Sequence, residues 1–197
     1  MCFNITSTSK GKMLVVSAPS GAGKTTLVKH LLIQIPSLAF SVSATSRPKR
    51  DNEVHGKDYF FLTKEDFKQR IDNGEFLEWE EVYEGVFYGT LLEEVDKALN
   101  NGKHLIFDVD VVGGINIKKH FGAIAYSIFI QAPSIQVLEQ RLRNRCSDAE
   151  DSIHERVQKA AQEMTYAPQF DLVFVNDDLN IAREQLTILV KDFLEKP

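Results

Sequence analysis

Four short apolar runs set the rhythm of this chain. Met13–Val16 lies between Gly11 and Pro19-Ser20-Gly21. Leu105–Phe107 stops at Asp108, and Ile124–Ile130 and Leu172–Val175 follow. Each run is continuous rather than alternating, which is the pattern of a strand buried on both faces. The stretches between them carry helical spacing. Thr25–Gln34 places Leu27, Val28, Leu31 and Leu32 on a common stripe. Ser134–Arg145 does the same with Ile135, Leu138 and Leu142, and Asp151–Thr165 and Asp178–Leu194 complete the set. Buried strands alternating with helices predict an α/β fold, a parallel sheet covered by helices on both faces.

Residues 40–90 break the rhythm. This stretch is rich in Arg, Glu, Tyr and Phe, with short, half-exposed strand signals. Thr63-Lys64-Glu65-Asp66 resembles a capping box that opens a helix to about Ile71, with Asp in place of the usual Glu or Gln. The stretch reads as an inserted subdomain. The core is then 12–39 and 91–197, preceded by a polar extension at 1–11. A polar segment at about 143–151, with Arg145 and Cys146, joins two helices and reads as a small lid.

At 197 residues the chain suits one domain with insertions, long enough to bury a core without disulfides or structural metal. Its net charge of −5 offers no basic surface for nucleic acid, so an anionic ligand must meet local positive charge. Two cysteines, Cys2 and Cys146, show no ligand-like spacing, which fits a reducing, cytoplasmic setting. No apolar run is long enough to span a bilayer, and the polar start does not read as an export signal. The acceptor pattern Asn4-Ile5-Thr6 is then a chance match.

Ala18-Pro19-Ser20-Gly21-Ala22-Gly23-Lys24-Thr25 links the first strand to the first helix. It follows the phosphate-loop pattern with alanine in place of the first glycine. Gly21 and Gly23 let backbone N–H groups turn inward around phosphate oxygens, and the helix N-terminus adds partial positive charge. Lys24 reaches the β- and γ-phosphates of ATP, and the Thr25 hydroxyl can hold Mg²⁺. An Asp at a strand end more often caps a helix. With this loop upstream, Asp108 reads instead as a second Mg²⁺ group, direct or through water.

Further on, Ser43-Ala44-Thr45-Ser46-Arg47-Pro48-Lys49-Arg50 places two arginines three apart. Glu53, Gly56-Lys57-Asp58-Tyr59, Glu75-Phe76-Leu77-Glu78-Trp79 and Tyr88-Gly89-Thr90 follow. With Asp108-Val109-Asp110, the arginines near residue 143, and Val175-Asn176-Asp177-Asp178, these pieces occur in an order that resembles the guanylate kinase family over 12–194. The resemblance implies one guanylate-kinase-like domain that transfers the γ-phosphoryl group of ATP to GMP in purine nucleotide metabolism. Arg47, Arg50, Tyr59 and Tyr88 would hold the GMP phosphate, and Ser43, Glu78, Thr90 and Asp110 would line the guanine. Thr26 would extend the ATP loop, and Asn176 would sit near the adenine. Arg141, Arg145 and Arg156, with Lys24 and Arg47, would neutralise the transferring group. Arg141 and Arg145 are four apart and so share a helix face. Closure of the insertion and lid would exclude water.

Guanine presents adjacent N1–H and 2-amino donors that a carboxylate such as Glu78 accepts together, whereas adenine offers a lone pair there. The chain departs from the family pattern at Ala18, Lys49, Asn52, Glu84, Val112, Asn144 and Cys146, and none of these removes a group assigned to chemistry. A GTP-hydrolysing switch would need an Asn-Lys-x-Asp motif, which Asn176-Asp177-Asp178 is not. A non-catalytic scaffold would have lost part of the loop or of the arginine pair. The oligomeric state stays open, a homo-oligomer among the options.

Overall fold

The first apolar run forms a strand buried at every residue, β1 (Met13–Ser17). The computed structural model describes residues 11–144 and 150–196. After β1 come α1 (Lys24–Gln34), β2 (Leu38–Phe40), β3 (Ala44–Thr45), β4 (Phe60–Phe61), α2 (Lys64–Asp72), β5 (Phe76–Tyr83) and β6 (Val86–Leu91). Then follow α3 (Leu92–Asn100), β7 (His104–Asp108), α4 (Val111–Phe121), β8 (Ala125–Gln131), α5 (Ile135–Arg143), α6 (Glu150–Met164), β9 (Leu172–Val175) and α7 (Leu179–Glu195). The chain separates into two compact units, one built on Phe40–Leu105 and one on Met13–Ala39 with Ile106–Pro197.

The core unit is built on a five-stranded sheet of order β2-β7-β1-β8-β9. β1 and β8 pair in parallel with Met13 opposite Ala125, and β8 and β9 pair in parallel with Ile128 opposite Leu172. Successive strand residues face opposite sides, and β8 shows the result. Ile128 and Ile130 pack into a cluster with Leu27 and Leu31 of α1 and Leu186 and Val190 of α7. Phe129, between them, packs with Val111 and Ile115 of α4 and with Phe170. Helices therefore cover both faces of the inner strands, as the continuous apolar runs predict, but the run Leu172–Val175 forms the edge strand β9, where Val173 and Val175 are exposed and only Phe174 is buried. Each such fully buried side chain contributes about 1.5–3 kcal/mol.

Polar side chains fix where the helices start. Ser134 Oγ accepts from Val137 N–H (3.2 Å), and Asp178 Oδ1 accepts from Asn180 and Ile181 N–H. Helix α4 opens on Val111-Val112-Gly113-Gly114, a poor helix sequence that gives no clear sequence signal. It forms because Asp110 Oδ1 accepts from Gly113 N–H (2.8 Å) and because its apolar face is buried. Helix α5 ends at Arg143, with Asn144 N–H bonded back to Gln140 O. The expected helix to Arg145 therefore stops short, and the shared-face argument for Arg141 and Arg145 falls with it. Arg145, Cys146 and the centre of the expected lid lie outside the described residues.

The other unit carries a four-stranded sheet of order β4-β3-β6-β5, mostly antiparallel. Its core is small and aromatic: Phe67 of α2 stacks on Phe76 (4.3 Å between ring centroids) and Phe87 (5.5 Å). Thr63 Oγ1 accepts from Asp66 N–H at 3.0 Å, which opens α2 where the capping pattern places it. This unit extends to Leu105, beyond the break in rhythm at residue 90, and so includes α3. That helix buries Leu92, Val95 and Leu99 and is tied on by Leu92 N–H to Glu75 O. Register matters here: Glu78 lies opposite Thr90, Trp79 opposite Gly89, and Glu80 opposite Tyr88.

Candidate active site

Between Ser17 and Lys24 the chain must leave a buried strand and enter a helix. Gly21 and Gly23 take φ of 93° and 95°, a region that costs a residue with a side chain about 1–2 kcal/mol. Ala22 N–H bonds back to Pro19 O (3.1 Å), closing the turn. The result is a cavity of about 340 Å³ lined by Ala18 to Gly21, Gly23, Lys24, Thr25, Asp108, Val109, Asp110 and Glu163. Lys24 and Thr25 of the first turn of α1 line it, and N–H groups at a helix start have no intrahelical partner, which makes a ready anion site. Lys24 Nζ donates to Val109 O (3.2 Å) and forms an ion pair with Asp108. Thus Asp108 is not a helix cap; Asp110 is, through one carboxylate oxygen. Ser17 Oγ donates to Asp110 O (2.9 Å), which fixes the strand end against the start of α4. Thr26, one position on, does not line the cavity.

Glu163 reaches the cavity from α6 and was not legible in the sequence. It follows Arg156 by seven residues, so both lie on one helix face, but only the docked helix aims them. Burial pushes its carboxyl up. Lys159 and Lys24 oppose that shift, and Asp110 adds to it.

Asn176 and Arg141 sit behind the loop. Asn176 is 3% exposed, and its Nδ2 donates to Ala22 O at 2.8 Å. Its Oδ1 is buried without a hydrogen-bond partner among the described residues, an arrangement that costs about 1–3 kcal/mol. Turning the amide over would set oxygen against oxygen, so the Ala22 carbonyl decides its orientation. Arg141 donates to Asn176 O and Asp177 O, both at 2.9 Å. In this structure Arg141 therefore bonds carbonyls at the end of β9.

The arginine pair and the expected base-reading residues lie in the other unit. Arg47 is gripped on several sides. Both terminal guanidinium nitrogens donate to Glu53 (2.7 and 2.5 Å), Nε donates to Tyr88 Oη (3.2 Å), and the guanidinium lies over the Tyr59 ring at 5.0 Å. The Arg47 fork, with a further bond from Arg50 N–H (2.8 Å), holds the Glu53 carboxyl down to about 2. The same pairing raises the Arg47 guanidinium. Tyr59 and Tyr88 meet edge to face, 5.8 Å apart. Thr90 Oγ1 donates to Glu78 Oε1 (2.6 Å) across β5 and β6. Ser43 O accepts from Phe60 N–H (2.9 Å). Arg50 is exposed, and its guanidinium makes no hydrogen bond among the described residues. The structure thus gathers Arg47, Tyr59 and Tyr88 into one cluster and Glu78 with Thr90 into another. Asp110 belongs to the core unit. Glu53, read in the sequence only as a neighbour of the arginines, is the group that organises Arg47.

The model of the family described as guanylate kinase matches residues 10–194. A guanylate kinase from Bacteroides thetaiotaomicron is 55% identical over 94% of this chain and 91% of its own. One from Porphyromonas gingivalis is 48% identical over 94% and 99%. A crystal structure of guanylate kinase from Anaplasma phagocytophilum superposes with a TM-score of 0.73 at 29% identity, covering 95% of this chain and 88% of that one.

Proposed function

The chain belongs to the guanylate kinase family, and we propose that it transfers the γ-phosphoryl group of ATP to GMP, giving ADP and GDP. The observation that carries this reading is the loop whose glycines and helix N-terminus, with Lys24 and Thr25, line one cavity with Asp108. Phosphoryl transfer needs positioning and charge neutralisation more than covalent chemistry. Arriving phosphates would draw Lys24 from Asp108, exchanging one anionic partner for another. The freed carboxylate and the Thr25 hydroxyl are hard oxygen donors that would suit Mg²⁺. Bound there, Mg²⁺ would neutralise charge on the β- and γ-phosphates.

On the acceptor side, Arg47 is pre-set by Glu53, Tyr59 and Tyr88, and exposed Arg50 offers a second fork to the GMP phosphate. Glu78, held by Thr90, would accept the two guanine donors, with Ser43 contributing; Asp110 keeps its assignment to the guanine on its sequence position alone. Arg156 shares the α6 face of Glu163. Arg141, at the loop's support, and Arg145, on its sequence position alone, complete the proposed cations. No described helix is long and apolar enough to cross a membrane. The sparse cysteines support a cytoplasmic setting. A coupled assay of ADP release tests the reading. GMP should drive turnover and AMP, CMP and UMP should not, and absence of GMP-dependent ADP release would refute it.

A further inference from the structure

Asn176 stands at the end of β9, where Arg141 holds its backbone carbonyl. Its side chain turns inward under the phosphate loop and donates to Ala22 O. A Cβ added to Gly23 would collide with this amide, so the two groups are in close contact. We propose that Asn176 is a positioning residue that sets the phosphate loop for the β- and γ-phosphates of ATP, rather than a contact to the base. The inference rests on the kinase reading above.

The argument begins with the peptide plane. The Ala22 carbonyl and the Gly23 N–H belong to one planar trans peptide and point in opposite directions. Ala22 is fully buried and absent from the cavity lining, whereas Gly21 and Gly23 face the cavity. Drawing the Ala22 carbonyl back onto Asn176 therefore turns the Gly23 N–H toward the phosphates. Rotating that peptide would present a carbonyl oxygen to an anion. Glycine on either side of Ala22 makes such a rotation easy, so the loop needs a pin from outside itself. The idle Oδ1 supports the same conclusion. An apolar side chain would remove this orphan oxygen but would leave the buried Ala22 carbonyl unpaired in its place. An amide is retained here because its donor end is needed. Burial to 3% exposure leaves the side chain little surface for a base to touch.

The test compares the parent with Asn176→Leu and Asn176→Ala. It uses steady-state kinetics with ATP and GMP varied separately, inhibition by inorganic tripolyphosphate, calorimetric ATP binding, and thermal unfolding. Both variants should raise the KM for ATP and the inhibition constant of tripolyphosphate by about ten-fold, with the KM for GMP unchanged. The Leu variant exchanges one unpaired buried acceptor, Asn176 Oδ1, for another, Ala22 O, and keeps the volume, so it should melt within a few degrees of the parent. A lowered melting point with unchanged ATP and tripolyphosphate constants would make Asn176 merely structural and overturn the proposal. A rise for ATP alone, with tripolyphosphate unaffected, would assign it to the base and also overturn it. If the parent bound ATP without phosphorylating GMP, the functional reading would fail. ATP and tripolyphosphate binding by the variants would still decide the role of Asn176.

Discussion

The phosphate loop and the arginine cluster around Arg47 each hold a cation against a carboxylate, Lys24 with Asp108 and Arg47 with Glu53. They differ in what surrounds that pair. The loop relies on backbone donors, set by two left-handed glycines and a helix end, all within 18–25. The arginine cluster relies on side chains from separated stretches, and Arg47 alone is fixed by a carboxylate, a phenol and two aromatic rings. Backbone donors recognise a polyphosphate without regard to what it is attached to. Side chains such as the Glu78–Thr90 pair, in the proposed function, would present a pattern that one base matches and another does not. A molecule that must accept a common donor and select a particular acceptor has reason to build its two sites differently.

Removing the loop's one cation is the harshest way to break this comparison. Lys24→Ala should lower kcat by roughly 10³-fold while the melting temperature stays near the parent's, because the ion pair it loses is partly exposed. Near-parental turnover would mean that the backbone cradle suffices alone.

This contrast also governs what could be read without coordinates. The loop was legible because glycine spacing encodes backbone geometry directly, and the buried strands because continuous apolar runs leave few alternatives. Asn176 was visible as a motif residue, but its bond to Ala22, 154 positions away, was not. Glu163 gave no signal because it reaches the cavity only through the docking of α6. Helix α4 was missed since its valines and glycines disfavour a helix locally, and tertiary burial outweighs that. The arginine pair was found, yet the grip of Glu53 on Arg47 needed the turn at 47–53 to be seen.

The second largest effect should fall on the side-chain reader. Glu78→Gln replaces one acceptor with a donor. A preference for GMP over AMP of roughly 10⁴-fold should contract by about 10²-fold in kcat/KM. An unchanged ratio would remove Glu78 from base recognition and leave the two sites less different than proposed.

Glu53→Gln sharpens the comparison more gently. It keeps the shape but faces Arg47 with a donor, so the KM for GMP should rise about ten-fold with kcat little altered. A parallel readout uses pH. The Glu53 carboxyl sits at about 2 rather than its ordinary 4.5. Its pairing therefore stabilises the fold fully above the ordinary value and is lost as pH falls toward 2. The stability gap between parent and variant should be flat above about pH 5 and close on acidification. A gap that widened in acid would contradict the assigned pairing.

The smallest effect is structural. A Cβ at Gly89 would lie 2.7 Å from Glu78 O and 2.9 Å from Trp79 Cβ and Phe76 Cδ1. Gly89→Ala should cost about 1–3 kcal/mol and lower the melting temperature by several degrees. The KM for ATP should not move, since the loop lies in the other unit. A shift in the ATP constant would show that the two regions are not separable in this way.

The strand order of the core has a consequence for how the protein is made. β5 and β6 form a hairpin across a short turn and can pair as soon as both leave the ribosome. β1 cannot: its sheet neighbours are β7 and β8, and Met13 waits for Ala125. During synthesis Met13–Ser17, buried at every residue in the folded chain, therefore emerges first among the described strands and waits long for its partners. Such high contact order slows folding and leaves a sticky segment open to other chains. The segment that carries the phosphate loop is thus also the one most dependent on timely completion or on a chaperone's cover.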